Sequence, residues 1–73
     1  GFDIPKPLRV ELEVVDISGR VVLTLVDDVM PAGKHSAAWD GSDIKGAKVA
    51  PGVYFIRMRA GRFSATRKTM HLK

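Results

Sequence analysis

The chain is 73 residues long, has a formal net charge of +4 and contains no cysteine. That length supports one small domain with a modest core, better suited to binding or structural work than to an enclosed active site. Disulfides and cysteine-based zinc sites are excluded, no stretch approaches the roughly 20 apolar residues of a bilayer span, and the opening GFDIPKP lacks the basic and apolar regions of a signal peptide.

Taken in order, the segments have a period of two almost throughout. GFDI is too short for a full strand and reads as the stub of one. In LRVELEVV the even positions Leu8, Val10, Leu12 and Val14 are apolar, and Arg9, Glu11 and Glu13 are charged, which predicts a half-buried strand with one wet face. DISGR supplies Asp16, Ser18 and Gly19 for a tight connection, and RVVLTLVD resumes as a β-branched strand. Its apolar residues fall on both parities, the pattern of a strand covered on both sides or placed at a sheet corner. MPAGKH is a Pro/Gly turn, and HSAAW is expected to be a short strand ending on the only Trp, Trp39. WDGSDIKG and AKVAPG follow as turn-rich segments. VYFIRMRA and FSATRKTMHLK flank the short AGR loop, a β-hairpin signature. In its first arm Tyr54, Ile56, Met58 and Ala60 form the apolar row and Arg57 and Arg59 share the other face. In its last strand Met70 and Leu72 are the apolar pair, with His71 and Lys73 opposite. Short strands separated by frequent turn signals, with no helical period, predict an all-β sandwich or barrel. The expected core is Leu8, Val10, Leu12, Val14, Leu23, Leu25, Trp39, Tyr54, Ile56, Met58, Met70 and Leu72.

Charge is unevenly distributed. Residues 57–73 hold Arg57, Arg59, Arg62, Arg67, Lys68 and Lys73 and no acid, whereas the preceding residues carry every Asp and Glu. Such asymmetry points to a partner surface without specifying the partner.

Candidate chemistry is sparse. WDGSDIKG invites comparison with a calcium loop, but with Asp40 and Ser42 at positions 1 and 3, Ile44 falls where a ligand is needed, Lys45 where a glycine is needed and Pro51 where an acid is needed. The alternative is a turn in which Asp40 and Asp43 accept hydrogen bonds from nearby backbone N–H groups and Gly41 and Gly46 take positive φ. His35 and His71 have no third ligand suggested beside them and read as partly exposed strand residues. Ser18, Ser36, Ser42 and Ser64 lack the strand–turn–helix setting of a nucleophile elbow. Tyr54, Phe55 and Phe63 near the arginines read as core beside a solvated face rather than as a nucleic-acid stacking platform. No enzymatic activity, metal, cofactor or nucleic-acid partner is expected.

The ordered landmarks VxDxxGR at residues 14–20, PAGxH at 31–35, WDGxDxxG at 39–46, PGVYF at 51–55, and the closing TRK through LK carry a resemblance over residues 10–73. The chain resembles the C-terminal Ig-like domain that serves as a sorting signal for the type IX secretion system of Bacteroidetes, and is closely similar to the Ig-like domain of flagellar hook-capping proteins. The resemblance implies a small Ig-like or fibronectin-like antiparallel β-sandwich of about 6–7 short strands, residues 1–73 forming one C-terminal domain at the end of a longer secreted precursor. The sorting role implies a non-catalytic signal that takes an N-terminal cargo domain through the outer membrane to the cell surface. Its implied partners are the translocation machinery and a sortase-like protease. By similarity the recognition elements are the turn Pro51, Gly52, Val53 and Tyr54 and the closing Lys68, Leu72 and Lys73, with Arg57, Arg59 and Arg67 of the basic hairpin at the same end. Thr69 and His71 are polar where many relatives are apolar, which is expected to weaken the final strand's grip or shift its register. The alternative is a purely structural Ig-like module of a hook-capping or other surface assembly protein. Carbohydrate or polyanion binding by the arginine face is a third, weaker reading.

Overall fold

A computed structural model describes residues 1–72. Its strands are β1 (Phe2–Ile4), β2 (Leu8–Asp16), β3 (Val21–Met30), β4 (Gly33–His35), β5 (Gly52–Ala60) and β6 (Phe63–His71). They form two antiparallel sheets, a four-stranded one in the order β3-β2-β5-β6 and a two-stranded one pairing β1 with β4. This is the architecture of a small Ig-like sandwich with one short sheet.

Alternation in the sequence becomes the two faces of the large sheet. Val10, Leu12 and Val14 of β2 stand opposite Ala60, Met58 and Ile56 of β5. Val10 and Val14 are fully buried, and Leu12, Met58 and Ala60 nearly so. Ile4 of β1 packs onto this row, flanked by Phe2, Leu8, Leu25, Val26, Met30 and Ile56, so the short sheet is held to the large one by apolar contact. The GFDI stub is thus a three-residue strand whose Ile4 is 3% exposed.

Three expectations are corrected. β3 is not covered on both sides: it is an edge strand, and its apolar residues occupy both parities because two register shifts, at Leu12/Glu13 and Val14/Val15, switch faces along its length. HSAAW is not a strand; pairing stops at His35, opposite Phe2, and residues 36–39 are irregular. Met70 and Leu72 are not core. They are 60% and 72% exposed, while Thr69 and His71, on the other parity, face inward opposite Tyr54 and Gly52.

The two-residue connection after β5 fixes that parity. Gly61 has φ of 60°, Arg62 has no positive φ, and Ala60 faces Phe63, the pattern of a II′ hairpin with glycine in the first central position. Counting from Ala60, which points into the core, puts the odd residues of β6 inward whatever their hydrophobicity.

Candidate functional site

The C-terminal hairpin collects most of the residues singled out from sequence, but it does not present them as one basic surface. Pro51 is exposed and leads into β5, where Gly52 and Val53 are half-buried. Tyr54 is buried, and its hydroxyl donates to the Ala50 carbonyl at 2.5 Å. A tyrosine bonded back to the backbone a few residues upstream is a corner-fixing device in Ig-like sandwiches. Its ring is buried at that corner.

Arg57 and Arg59 lie opposite Glu13 and Glu11 across β2 and β5. Arg57 Nη2 is 2.9 Å from Glu13 Oε1, and Arg59 Nη2 is 3.1 Å from Glu11 Oε2 and 3.5 Å from Glu13 Oε1. Arg9 continues the ladder to Asp27 of β3 at 2.6 Å. The outer face of the large sheet is therefore a charge-matched ladder. Sequence reading missed the role of Glu11 and Glu13, although period-two acids on one strand and period-two arginines on another were the available signal. Glu13 is the best buried member, its side chain 15% exposed, and Arg57 Nε is buried without a hydrogen-bond partner among the described residues. Glu13→Gln is therefore expected to cost about 1 kcal/mol in urea unfolding, well short of a fully buried pair because Arg57 remains in partial contact with water. Replacing both residues with leucine should cost less than the single change.

Arg67 and Lys68 differ from these arginines. Both lie exposed on β6, the last strand of the sheet, with no carboxylate within ion-pair distance among the described residues. Leu72 is also exposed, and Lys73 falls outside the described residues.

The WDGSDIKG stretch is a self-satisfied turn. Asp40 Oδ1 accepts from the Ser42 N–H at 3.0 Å and hydroxyl at 2.6 Å, and Asp43 Oδ1 accepts from the Lys45 and Ala47 N–H groups at 2.9 and 3.0 Å. Gly41 and Gly46 have φ of 86° and 85°. The turn expectation holds, and these carboxylate oxygens serve the backbone. The same five-residue device occurs earlier: Asp16 Oδ1 accepts from Ser18 and Arg20 N–H groups at 2.9 and 3.0 Å, and Gly19 takes φ of 88°. Both copies read Asp-Ile-x-Gly-x. Trp39 leads into the second, donating from Nε1 to the Ser42 carbonyl at 2.8 Å. Its ring sits 5.1 Å from that of Tyr54 and 5.6 Å from that of His71. His71 is thus a wedge between the loop and the end of β6, while His35 Nε2 donates to the Pro31 carbonyl, 2.7 Å away.

Hydrogen bonds hold two of these aspartates below their ordinary range. The Ser18 hydroxyl first and the Arg20 N–H second lower Asp16; the Ser42 hydroxyl and then its N–H lower Asp40. A carboxylate whose folded pKa is depressed adds stability above its unfolded value, near about 3.9, and loses it as pH falls through the folded one. Urea midpoints should therefore drop progressively below about pH 4, and the Asp16→Asn/Asp40→Asn variant should show a flatter decline. An unchanged slope would remove these residues from the acid transition.

Comparison with known proteins shows what the fold is similar to. The family model for the FlgD Ig-like domain matches residues 2–63. The basal-body rod modification protein FlgD of Salmonella typhimurium (strain LT2) is 36% identical over 61 residues, covering 82% of this chain and 26% of that protein, and the same protein of Salmonella typhi matches to the same extent. The chain spans about a quarter of the length of these curated relatives. No solved structure matches. Of the two roles implied by the resemblance, the family and the basal-body relatives support the flagellar module and overturn the type IX sorting signal.

Proposed function

The chain belongs to the FlgD Ig-like domain family, and from that premise we propose that it is a structural, non-catalytic module of a hook-capping or other surface assembly protein, working by packing against neighbouring parts of the assembly outside the cytoplasm. The observation that carries this reading is the family match, which runs from β1 through the β5–β6 turn. Two structural features agree with it. Asp16, Asp40 and Asp43 are spent on turns, and Glu11, Glu13, Arg57 and Arg59 on a ladder. A fold alone hosts many functions; these acids and arginines are committed to holding the sandwich.

The test is replacement. The matching region of the Salmonella typhimurium relative is exchanged for this chain in a strain lacking its own copy, and basal bodies with their attached structures are counted by electron microscopy. Assembly in the chimera at a substantial fraction of the parental level is expected. A chimera that is expressed and folded yet assembles no better than the deletion strain would overturn the reading.

A further inference from the structure

The two edges of the large sheet are built differently. β3 is closed to further pairing. It carries two bulges, its Val22 carbonyl accepts from the Ile44 N–H at 3.2 Å, and the Val29 N–H is taken by Asp28 Oδ1 at 2.7 Å. These are the devices by which sheets blunt an edge. β6 has no bulge and, among the described residues, no side chain bonded to its edge groups; its edge charges are those of Arg67 and Lys68. It pairs with β5 over its whole length without a register shift and contains neither proline nor glycine.

The turn also says which backbone groups β6 leaves open. A two-residue hairpin closes on a hydrogen-bonded pair, and in an antiparallel ladder such pairs alternate with non-bonded ones. From Ala60–Phe63, the residues bonded to β5 are Phe63, Ala65, Arg67, Thr69 and His71. Ser64, Thr66, Lys68 and Met70 consequently direct their N–H and C=O groups to the free edge. Along that edge stand Phe63 and Met70, 58% and 60% exposed, and between them Arg67 and Lys68, unpaired among the described residues. The family match ends at residue 63, so the matched region does not account for these residues.

We propose that β6 is a docking edge for an extended segment of another polypeptide, bound as an added antiparallel strand, with two adjacent acidic residues opposite Arg67 and Lys68 and apolar residues opposite Phe63, Ala65 and Met70. Directly opposed residues share a face, so adjacent acids meet Arg67 on the inner face and Lys68 on the outer one. Main-chain bonds supply the affinity of such an addition and the alternating side chains its specificity. A second copy is the weaker occupant. The acids of β3 are engaged, Asp27 with Arg9 at 2.6 Å and Asp28 with its own edge. The inference deepens the assembly reading by naming a surface, and rests on it only for the role of that surface.

The test needs no flagellum, so its failure is distinct from failure of the chimera. The probe is the acetylated, amidated octapeptide Val-Thr-Glu-Asp-Thr-Val-Thr-Val, titrated into the ¹⁵N-labelled chain, with its Lys-Lys counterpart as control. Saturable binding of the acidic peptide is expected, with amide exchange slowed at Ser64, Thr66, Lys68 and Met70 and unchanged along β3. Arg67→Glu/Lys68→Glu should weaken it at least about tenfold, or about 1.4 kcal/mol, because two attractive pairs become repulsive ones, and should admit the lysine peptide. Thr66→Pro removes an edge donor without touching the β5 ladder and should abolish binding while leaving the thermal melt close to that of the parent. Equal binding of both peptides, protection elsewhere, binding that survives Thr66→Pro, preference for a short single-stranded DNA over the acidic peptide, or self-association through β6 would each overturn the proposal.

Discussion

Trp39→Ala is expected to lower the unfolding free energy by about 3 kcal/mol, near the lower end of the range for truncating a large aromatic in a core, because the ring is only partly buried. Stability of about 0.05–0.15 kcal/mol per residue is typical of domains, so this is a large share of what a 73-residue chain has. The loss has separable parts. One is the edge-on contact with Tyr54 at 5.1 Å and the tilted contact with His71 at 5.6 Å, each of a kind worth about 0.5–1.5 kcal/mol at most. Another is the Nε1–H bond to the Ser42 carbonyl, whose removal leaves that carbonyl to find water. Trp39→Phe keeps an aromatic ring and loses that bond, and should cost about 1 kcal/mol. Urea denaturation followed by far-ultraviolet circular dichroism measures both. If Trp39→Ala cost no more than Trp39→Phe, the ring would be an exposed lid rather than the joint between the loop, β5 and β6.

The core face of β2 and β5 was legible in the sequence because two nine-residue strands alternate cleanly, so local pattern and tertiary burial agree. Where they disagree, geometry decided. Met70 and Leu72 are the most apolar residues near the chain's end, yet the parity set at Gly61 and Arg62 turns them outward and brings Thr69 and His71 in. HSAAW looked extended, but its residues after His35 take part in no ladder, a matter of tertiary pairing that local pattern does not report. The arginine face was legible as a row but not as a neutral one, since Glu11 and Arg59 are 48 positions apart and only the strand order β2-β5 joins them. The same gap explains the functional correction. Motifs such as WDGxDxxG encode the turns of the sandwich, as the bonds of Asp40 and Asp43 show, and turn chemistry is shared by modules with different employment. The two turns, by contrast, were legible from their aspartates and glycines, since the aspartate accepts local N–H groups and the glycine supplies positive φ, although their shared Asp-Ile-x-Gly-x form became apparent only from the matching bonds.

Gly41→Ala is expected to cost about 2 kcal/mol, from two sources that a neighbouring glycine separates. Gly41 and Gly46 have nearly the same φ, +86° and +85°, so an alanine at either pays the same backbone strain, about 1 kcal/mol. Their surroundings differ. A Cβ at Gly46 meets nothing within 4 Å, whereas one at Gly41 would lie 2.2 Å from His71 Cε1 and 2.6 Å from Nδ1. His71 cannot stay where it is, and its ring would have to leave the face of Trp39. Gly41→Ala should therefore exceed Gly46→Ala by about 1 kcal/mol, and the excess should vanish in a His71→Ala background. The displacement has a local consequence as well: with the wedge gone, the end of β6 is tied only by its ladder to β5, and amide exchange at Thr69 and His71 should quicken while that at Ala65 does not. Equal costs at the two glycines would mean that His71 rotates away freely and that the loop does not fix the end of β6. Peptide titration of Gly41→Ala then links this joint to the proposed docking edge. A strand that spans Phe63 to Met70 needs the whole of β6 extended, so loosening its last residues should weaken the acidic octapeptide without changing its preference over the lysine one.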